Sequence, residues 1–346
     1  MIDVAIIGGG PTGLAAAIRA RMDGLSVVLF EPKATPIDKA CGEGLMPPAL
    51  SALARLGIEG IEGLPFKGIR YIDGNASAER AFSMGPGLGV RRTTLQNALH
   101  SRAEELGVVF RNERVKTWSQ SADFVEVEGI KARWMLGADG LHSPIRNELG
   151  LALPSRGPRR VGIRRHFNIQ PWSSFVEVYW SPHAEAYVTP IGPEQVGVAL
   201  LYNQDAQKPE GEDAWTRWFA CFPELADRLG SSCSTPRGAG PFEQRARSAQ
   251  SGRVLLVGDA AGDLDPITGE GIRLGLETAE AAIETIIHDQ VSDYNRRWRQ
   301  LTRTYWWLTS GLLFIRQRPA LRKRIVPTLQ RWPRLFQWAL DTLNRS

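Results

Sequence analysis

The chain has 346 residues, 43% hydrophobic and 23% charged, with a net charge of +5; this excludes disordered and collagen-like chains and allows two or three lobes with a cleft between them. Three cysteines, Cys41, Cys221 and Cys233, form neither a disulfide framework nor a C-x-x-C pattern, and no His/Cys/Asp cluster has metal-ligand spacing, so no metal is expected. The longest apolar run, residues 304–315, is too short to cross a bilayer, and the opening MIDVAIIGGG lacks a basic leader, so the expected location is cytoplasmic.

In chain order, residues 3–7 are a β-branched run, 8–13 a glycine turn, 14–22 an alanine-rich helix, and 26–30 a second apolar run ending at Glu31. That is one βαβ unit. Helical spacing recurs at 49–56 and 93–106, the latter before a strand-like 108–110, and 112–138 reads as strands ending at Gly137. Four strand patterns follow at 161–167, 175–180, 185–189 and 196–202, separated by Pro, Gly and Ser turns, and read as a separate antiparallel sheet. A Pro/Gly/Ser-rich linker near 230–241 leads to a buried strand at 253–257 and a helix over 272–288. The expected organisation is an α/β domain at 1–157 with an excursion near 62–88, an inserted sheet at 158–248, a return to the first domain at 249–290, and a helical tail at 291–346.

Three motifs carry chemistry. Gly8, Gly10 and Gly13 form Gly-x-Gly-x-x-Gly between strand and helix, with Glu31 at the end of the next strand. Gly8 permits the turn, Gly10 the approach of a pyrophosphate and Gly13 the close packing of helix on strand, while Glu31 takes ribose hydroxyls. Gly137-Ala138-Asp139-Gly140-Leu141-His142-Ser143-Pro144-Ile145-Arg146 follows a second strand, and Gly258-Asp259-Ala260-Ala261-Gly262, continuing into Asp265-Pro266-Ile267-Thr268-Gly269-Glu270-Gly271-Ile272, follows a third.

In order and spacing these motifs resemble the FAD-dependent oxidoreductases of the p-hydroxybenzoate hydroxylase and geranylgeranyl reductase superfamily. The resemblance implies a Rossmann-like FAD-binding domain with an inserted antiparallel β-sheet substrate domain and a helical C-terminal segment. It implies that Gly8, Gly10, Gly13 and Glu31 bind the ADP part of FAD, that Arg92 reaches the ribityl or phosphate region, and that Val115 lies by the adenine. Asp139 would hold its loop, Asp259 would bind the ribityl chain, and Gly269, Gly271 and Ile272 would aim backbone N–H groups at the flavin pyrimidine. Gly44 and Leu45, in Cys41-Gly42-Glu43-Gly44-Leu45-Met46-Pro47, would lie against the isoalloxazine; Cys41 itself reads as a small loop residue. The Trp-x-Trp-x-Ile-Pro signature of flavin-dependent halogenases is not found, the region reading Ala186-Tyr187-Val188-Thr189-Pro190.

The favoured reaction by this resemblance is monooxygenation driven by NADPH or NADH, through a flavin C4a-hydroperoxide, of a lipophilic phenol or polyketide. The main rival is reduction of an isoprenoid double bond. Arg164, His166, Glu177, Tyr179, His183 and Tyr187 of the middle sheet are candidates to orient substrate or take a phenolic proton, with no catalytic residue chosen among them. The tail holds twelve Arg and Lys against Asp293 and Asp341, so the rest of the chain is net acidic and nucleic acid is not an expected partner. Its aromatic and basic residues suit a helical cap, a greasy wall for a small lipophilic substrate, or peripheral membrane contact. In the last case a non-catalytic flavoprotein recruited to a membrane is a further alternative. Oligomeric state is not legible.

Overall fold

The computed structural model describes residues 1–205 and 211–345. Strands Ile2–Ile7, Val27–Phe30, Val109–Arg111, Ile130–Gly137 and Val254–Leu256 lie parallel, in the spatial order Val254–Leu256, Ile130–Gly137, Ile2–Ile7, Val27–Phe30, Val109–Arg111. Short antiparallel strands extend this sheet at Gln250–Ser251, Val125–Val127 and Trp118–Gln120. Val4, Ala5 and Ile6 are fully buried, the continuous apolar pattern of a parallel strand covered on both faces. Helix Pro11–Met22 packs against Gly271–Ile287 and Arg92–Glu105. The three motif loops all follow the carboxyl ends of neighbouring parallel strands, where open α/β sheets place their ligands.

The second layer is a seven-stranded sheet in the order Arg237–Ala239, Arg160–Phe167, Gln195–Asn203, Ala184–Gly192, Val176–Trp180, Gly68–Asp73, Ala76–Ala81. Two features differ from the sequence expectation. The stretch read as a linker supplies the edge strand Arg237–Ala239, and Val176–Trp180 pairs with Gly68–Asp73 in parallel, so the inserted sheet is not wholly antiparallel. The parallel pair arises because the hairpin at 68–81, from the first part of the chain, adds itself to the sheet edge. Period-two alternation gives this sheet two buried faces. Ala186, Val188, Val198 and Leu200 pack under Trp215 and Trp218, while Ile69, Val178 and Leu201 belong to a second cluster with Val326, Phe336 and Leu340 of the C-terminal helices.

Those helices, Tyr294–Arg316, Pro319–Arg331 and Pro333–Arg345, join both layers. Tyr294 donates to the Leu256 carbonyl at 2.7 Å, and Tyr305 donates to Asp263 Oδ1 at 2.7 Å while its oxygen accepts from the Leu264 and Asp265 N–H groups. On the sheet side, Phe336 stacks on Tyr71 with centroids 5.1 Å apart. Arg316 is buried against Glu185, and Arg322 donates to Asp73 at 3.1 Å. The tail is therefore a cap on two domains, and two of its arginines are interior struts.

Candidate active site

A cavity of about 1220 Å³ runs between the two sheets and out under the C-terminal helices. At its inner end helix Pro11–Met22 starts directly behind Gly10, with no side-chain cap and no acidic residue in its first turn. Its free N–H groups and positive dipole end are available to an anion. The turn ahead of it is held by contact: a Cβ on Gly13 would overlap the Gly8 carbonyl, and Gly8 itself sits at φ +110° against Ala138, whereas a Cβ on Gly10 would meet nothing within 4 Å. Gly8 and Gly13 build the turn; Gly10 leaves room beside it. Glu31 accepts from the Gly9 and Lys33 N–H groups at 2.9 and 3.0 Å, stiffening the rim.

A second uncapped helix start faces the same space. Gly271–Ile287 has no side-chain cap and no acidic residue in its first turn, and Gly269, Gly271 and Ile272 line the cavity. Two helix dipoles from opposite ends of the chain thus converge on one volume, joined by the cations Lys39 and Arg92. Burial lowers the pKa of both cations, and each lies near the other and near Asp259. Arg92 donates to Gln96 at 3.0 Å, and Gln96 donates to the Gly9 carbonyl at 2.6 Å, tying the cation to the glycine turn.

Asp259 is open to the cavity but enclosed by protein; burial raises its pKa against the pull of Lys39, Arg92 and Arg146. Burial likewise raises Asp139, whose Oδ2 accepts from the Ile145 N–H at 3.2 Å. Asp263 is pushed up to about 8 by burial and by Asp259. Arg146, fully buried, donates to the carbonyls of Leu141, Asp259 and Ala260 and so fastens the second motif loop to the third. An open Gly10, two free helix starts and enclosed charges of both signs fit a phosphate-bridged dinucleotide such as FAD, with Asp259 free for a hydroxyl-bearing chain.

The loop at 41–46 closes one side of this space. Glu43, 3% exposed and at φ +58°, accepts from the Arg92 N–H at 2.9 Å, and its other oxygen lies 2.7 Å from His166 Nε2. His166 Nδ1 is 3.2 Å from Arg164, which in turn pairs with Asp38. One buried carboxylate therefore links the loop, helix Arg92–Glu105 and the inserted sheet. In the sequence Glu43 stands only as part of a motif, and a charged residue between two glycines is the signal for it. Burial raises the Cys41 thiol pKa, in keeping with an unreactive loop position.

Of the proposed nucleotide residues, Gly10, Gly44, Arg92, Asp139, Asp259, Gly269, Gly271 and Ile272 line the cavity. Gly8, Gly13 and Glu31 do not line it. Leu45 is buried opposite Leu88, and Val115 packs on the core of the parallel sheet away from the cavity. The sheet candidates also divide. Arg164 and Tyr187 line the cavity, and His166 lies behind them on Glu43. Glu177 and Tyr179 bond each other at 2.7 Å outside it, and His183 is exposed in a turn.

At its far end the cavity wall changes character. Leu308, Leu312, Ile315, Ile325, Leu329 and Leu340 of the C-terminal helices replace charge with hydrocarbon.

A family model described as the FAD binding domain matches residues 1–288. Menaquinone reductase of Mycolicibacterium smegmatis is 27% identical over 333 residues, covering 88% of this chain and 81% of that protein. Para-nitrophenol 4-monooxygenase of Pseudomonas sp. strain WBC-3 is 27% identical over 321 residues, covering 82% and 77%. The crystal structure of p-nitrophenol 4-monooxygenase from Pseudomonas putida DLL-E4 superposes with a TM-score of 0.82 at 22% identity, covering 100% of this chain and 99% of that one. The chain belongs to the FAD binding domain family and is an FAD-dependent oxidoreductase.

Proposed function

We propose that the protein is an NAD(P)H-dependent monooxygenase that hydroxylates the electron-rich ring of a phenol- or polyketide-type molecule bearing a long apolar tail. The observation that carries this reading is Arg164: a guanidinium 2% exposed, on the cavity wall and held there by Asp38. A buried cation there favours the ionised form of a phenol and so raises the electron density of its ring; an alkene offers it no partner. Arg164 Nε is without a hydrogen-bond partner among the described residues.

Bound FAD would supply the redox chemistry, passing two electrons from NAD(P)H to oxygen so that one oxygen atom enters the ring and the other leaves as water. The chain's own groups position and shield. The N–H groups at Gly271 and Ile272 would meet negative charge on the cofactor, and the Asp139, Arg146 and Asp259 loops would hold its polar chain. Tyr187 donates to the Ile267 carbonyl at 3.2 Å, and burial holds its pKa well above the usual phenol range, so it remains a donor and not a base. The apolar wall accepts the tail and excludes water. Relatives named for a phenol and for a quinone are in keeping with a ring substrate.

The test is turnover of a long-chain alkylphenol with NADPH or NADH under labelled oxygen. One labelled oxygen atom in the product, and donor oxidation that stops without oxygen, are the expected results. A second reading, saturation of a carbon–carbon double bond, is favoured by the length of the hydrocarbon wall; it predicts oxygen-independent turnover and a product heavier by two hydrogens.

A further inference from the structure

The hydrocarbon end of the cavity opens through the C-terminal helices. Trp307, Leu321, Arg324, Thr328 and Leu335 line the cavity and are also exposed. Trp307, 61% exposed, meets Trp338, 50% exposed, edge to face at 6.1 Å. Phe314, on the first of the three helices, and Trp332, between the second and third, add exposed aromatic surface. An apolar opening of this kind is an unusual surface for a protein that works alone in water.

Its surroundings are cationic. Arg303, Lys323, Arg324, Arg331 and Arg334 are exposed and make no ion pair with any described residue. Pro319–Arg331 contains no acidic residue at all, and Pro333–Arg345 contains only Asp341, which accepts from Ser83 and Gln337. The buried Arg316 and Arg322 show that the tail does pair its cations where it needs them for packing; of the five exposed ones, Arg324 lines the opening and the others lie on the same segment of chain. Among the described residues no helix is long and apolar enough to cross a membrane, so contact is at the surface.

We propose that this opening docks on an anionic lipid bilayer, the tryptophans entering the headgroup layer and the arginines and lysine meeting lipid phosphates, so that a lipid-tailed substrate passes from membrane to cavity without crossing water. Tryptophan at the interface and flanking basic residues supply the two attractions that surface binding combines. The proposal rests on the tailed-substrate reading for its purpose, but binding is measured without turnover, so the two can fail separately.

The experiment is sedimentation of the full-length FAD-bound protein with vesicles of phosphatidylcholine, and with an equimolar mixture of phosphatidylcholine and phosphatidylglycerol. The expected result is binding to the anionic vesicles that weakens with salt, with tryptophan fluorescence quenched by brominated lipid. Lys323→Glu combined with Arg331→Glu, both outside the cavity wall, should weaken binding at least about tenfold while the flavin absorption spectrum and its reduction by NAD(P)H stay unchanged. Equal binding by that variant, or none by the native protein, overturns the proposal. So does a concentration-dependent dimer by light scattering that Trp338→Ser abolishes, because the face would then be covered by a second copy.

Discussion

The two ends of the cavity are built from different material. At the inner end much of the wall is backbone: a glycine turn, two free helix starts and carbonyls fastened by Arg146, with a few charged side chains between them. At the outer end it is side chain, with leucine, isoleucine and phenylalanine from three helices laid on a sheet. Backbone geometry permits few residue types, whereas an apolar wall is satisfied by many combinations of equal volume. The inner end can therefore fix one cofactor through a motif, and the outer end can change its occupant by small steps.

The sharpest break in that contrast is at the glycine turn. Gly13→Val puts a side chain into the Gly8 carbonyl and should cost about 3 kcal/mol or more, giving insoluble protein or a large fall in Tm. Gly10→Val, with open space beside it, should leave a folded apoprotein that has lost FAD; equal damage from both would refute the division of labour. Next, Asp259→Ala should weaken FAD binding by about ten- to a hundredfold, through loss of a charge-assisted contact, without lowering the apoprotein's Tm. Titration of FAD into apoprotein measures it. Arg164→Met should move the pKa seen in the pH profile of kcat/KM for a phenol upward by about one to two units, because the cation that favours phenolate is gone. At the outer end, Leu329→Trp should raise KM about tenfold for a long-tailed substrate and leave a short analogue and FAD binding untouched.

The smallest effect is a pH dependence. Asp263, ordinarily near 3.8, is pushed up to about 8 because burial and Asp259 favour its neutral form. A raised acid pKa means that the folded state holds the proton more tightly, so this contribution to stability is complete below about pH 4 and is lost as the pH rises toward 8. Thermal melts of the apoprotein between those limits should fall with pH, and Asp263→Asn should flatten the slope.

The same contrast explains what the amino-acid order disclosed. The first βαβ unit, the strands at 161–202 and helix Gly271–Ile287 are legible because strict periodicity and glycine spacing are local properties; of the motif glycines, Gly10, Gly44, Gly269 and Gly271 line the cavity. Val115 did not reach the cavity, because a residue beyond a strand end has no periodicity to fix its direction. Glu43 drew no separate notice, since its partners Arg92 and His166 lie 49 and 123 residues away. The edge strand Arg237–Ala239 was hidden by its glycine-rich composition. The tail is legible as helical, aromatic and basic, but which arginines are interior depends on Glu185 and Asp73, far off in the chain.

Tyr305 carries one more implication. Its hydroxyl, from the middle of the first C-terminal helix, grips Asp263 and the N–H groups of Leu264 and Asp265 on the loop that follows Asp259. The tail is thus not a detachable module: a chimera whose new roof covers this loop without a matching hydroxyl would bury three polar groups with no partner where the third motif turns toward the cavity. A graft that alters what the outer end accepts therefore has to supply those three hydrogen bonds, as Tyr305 does.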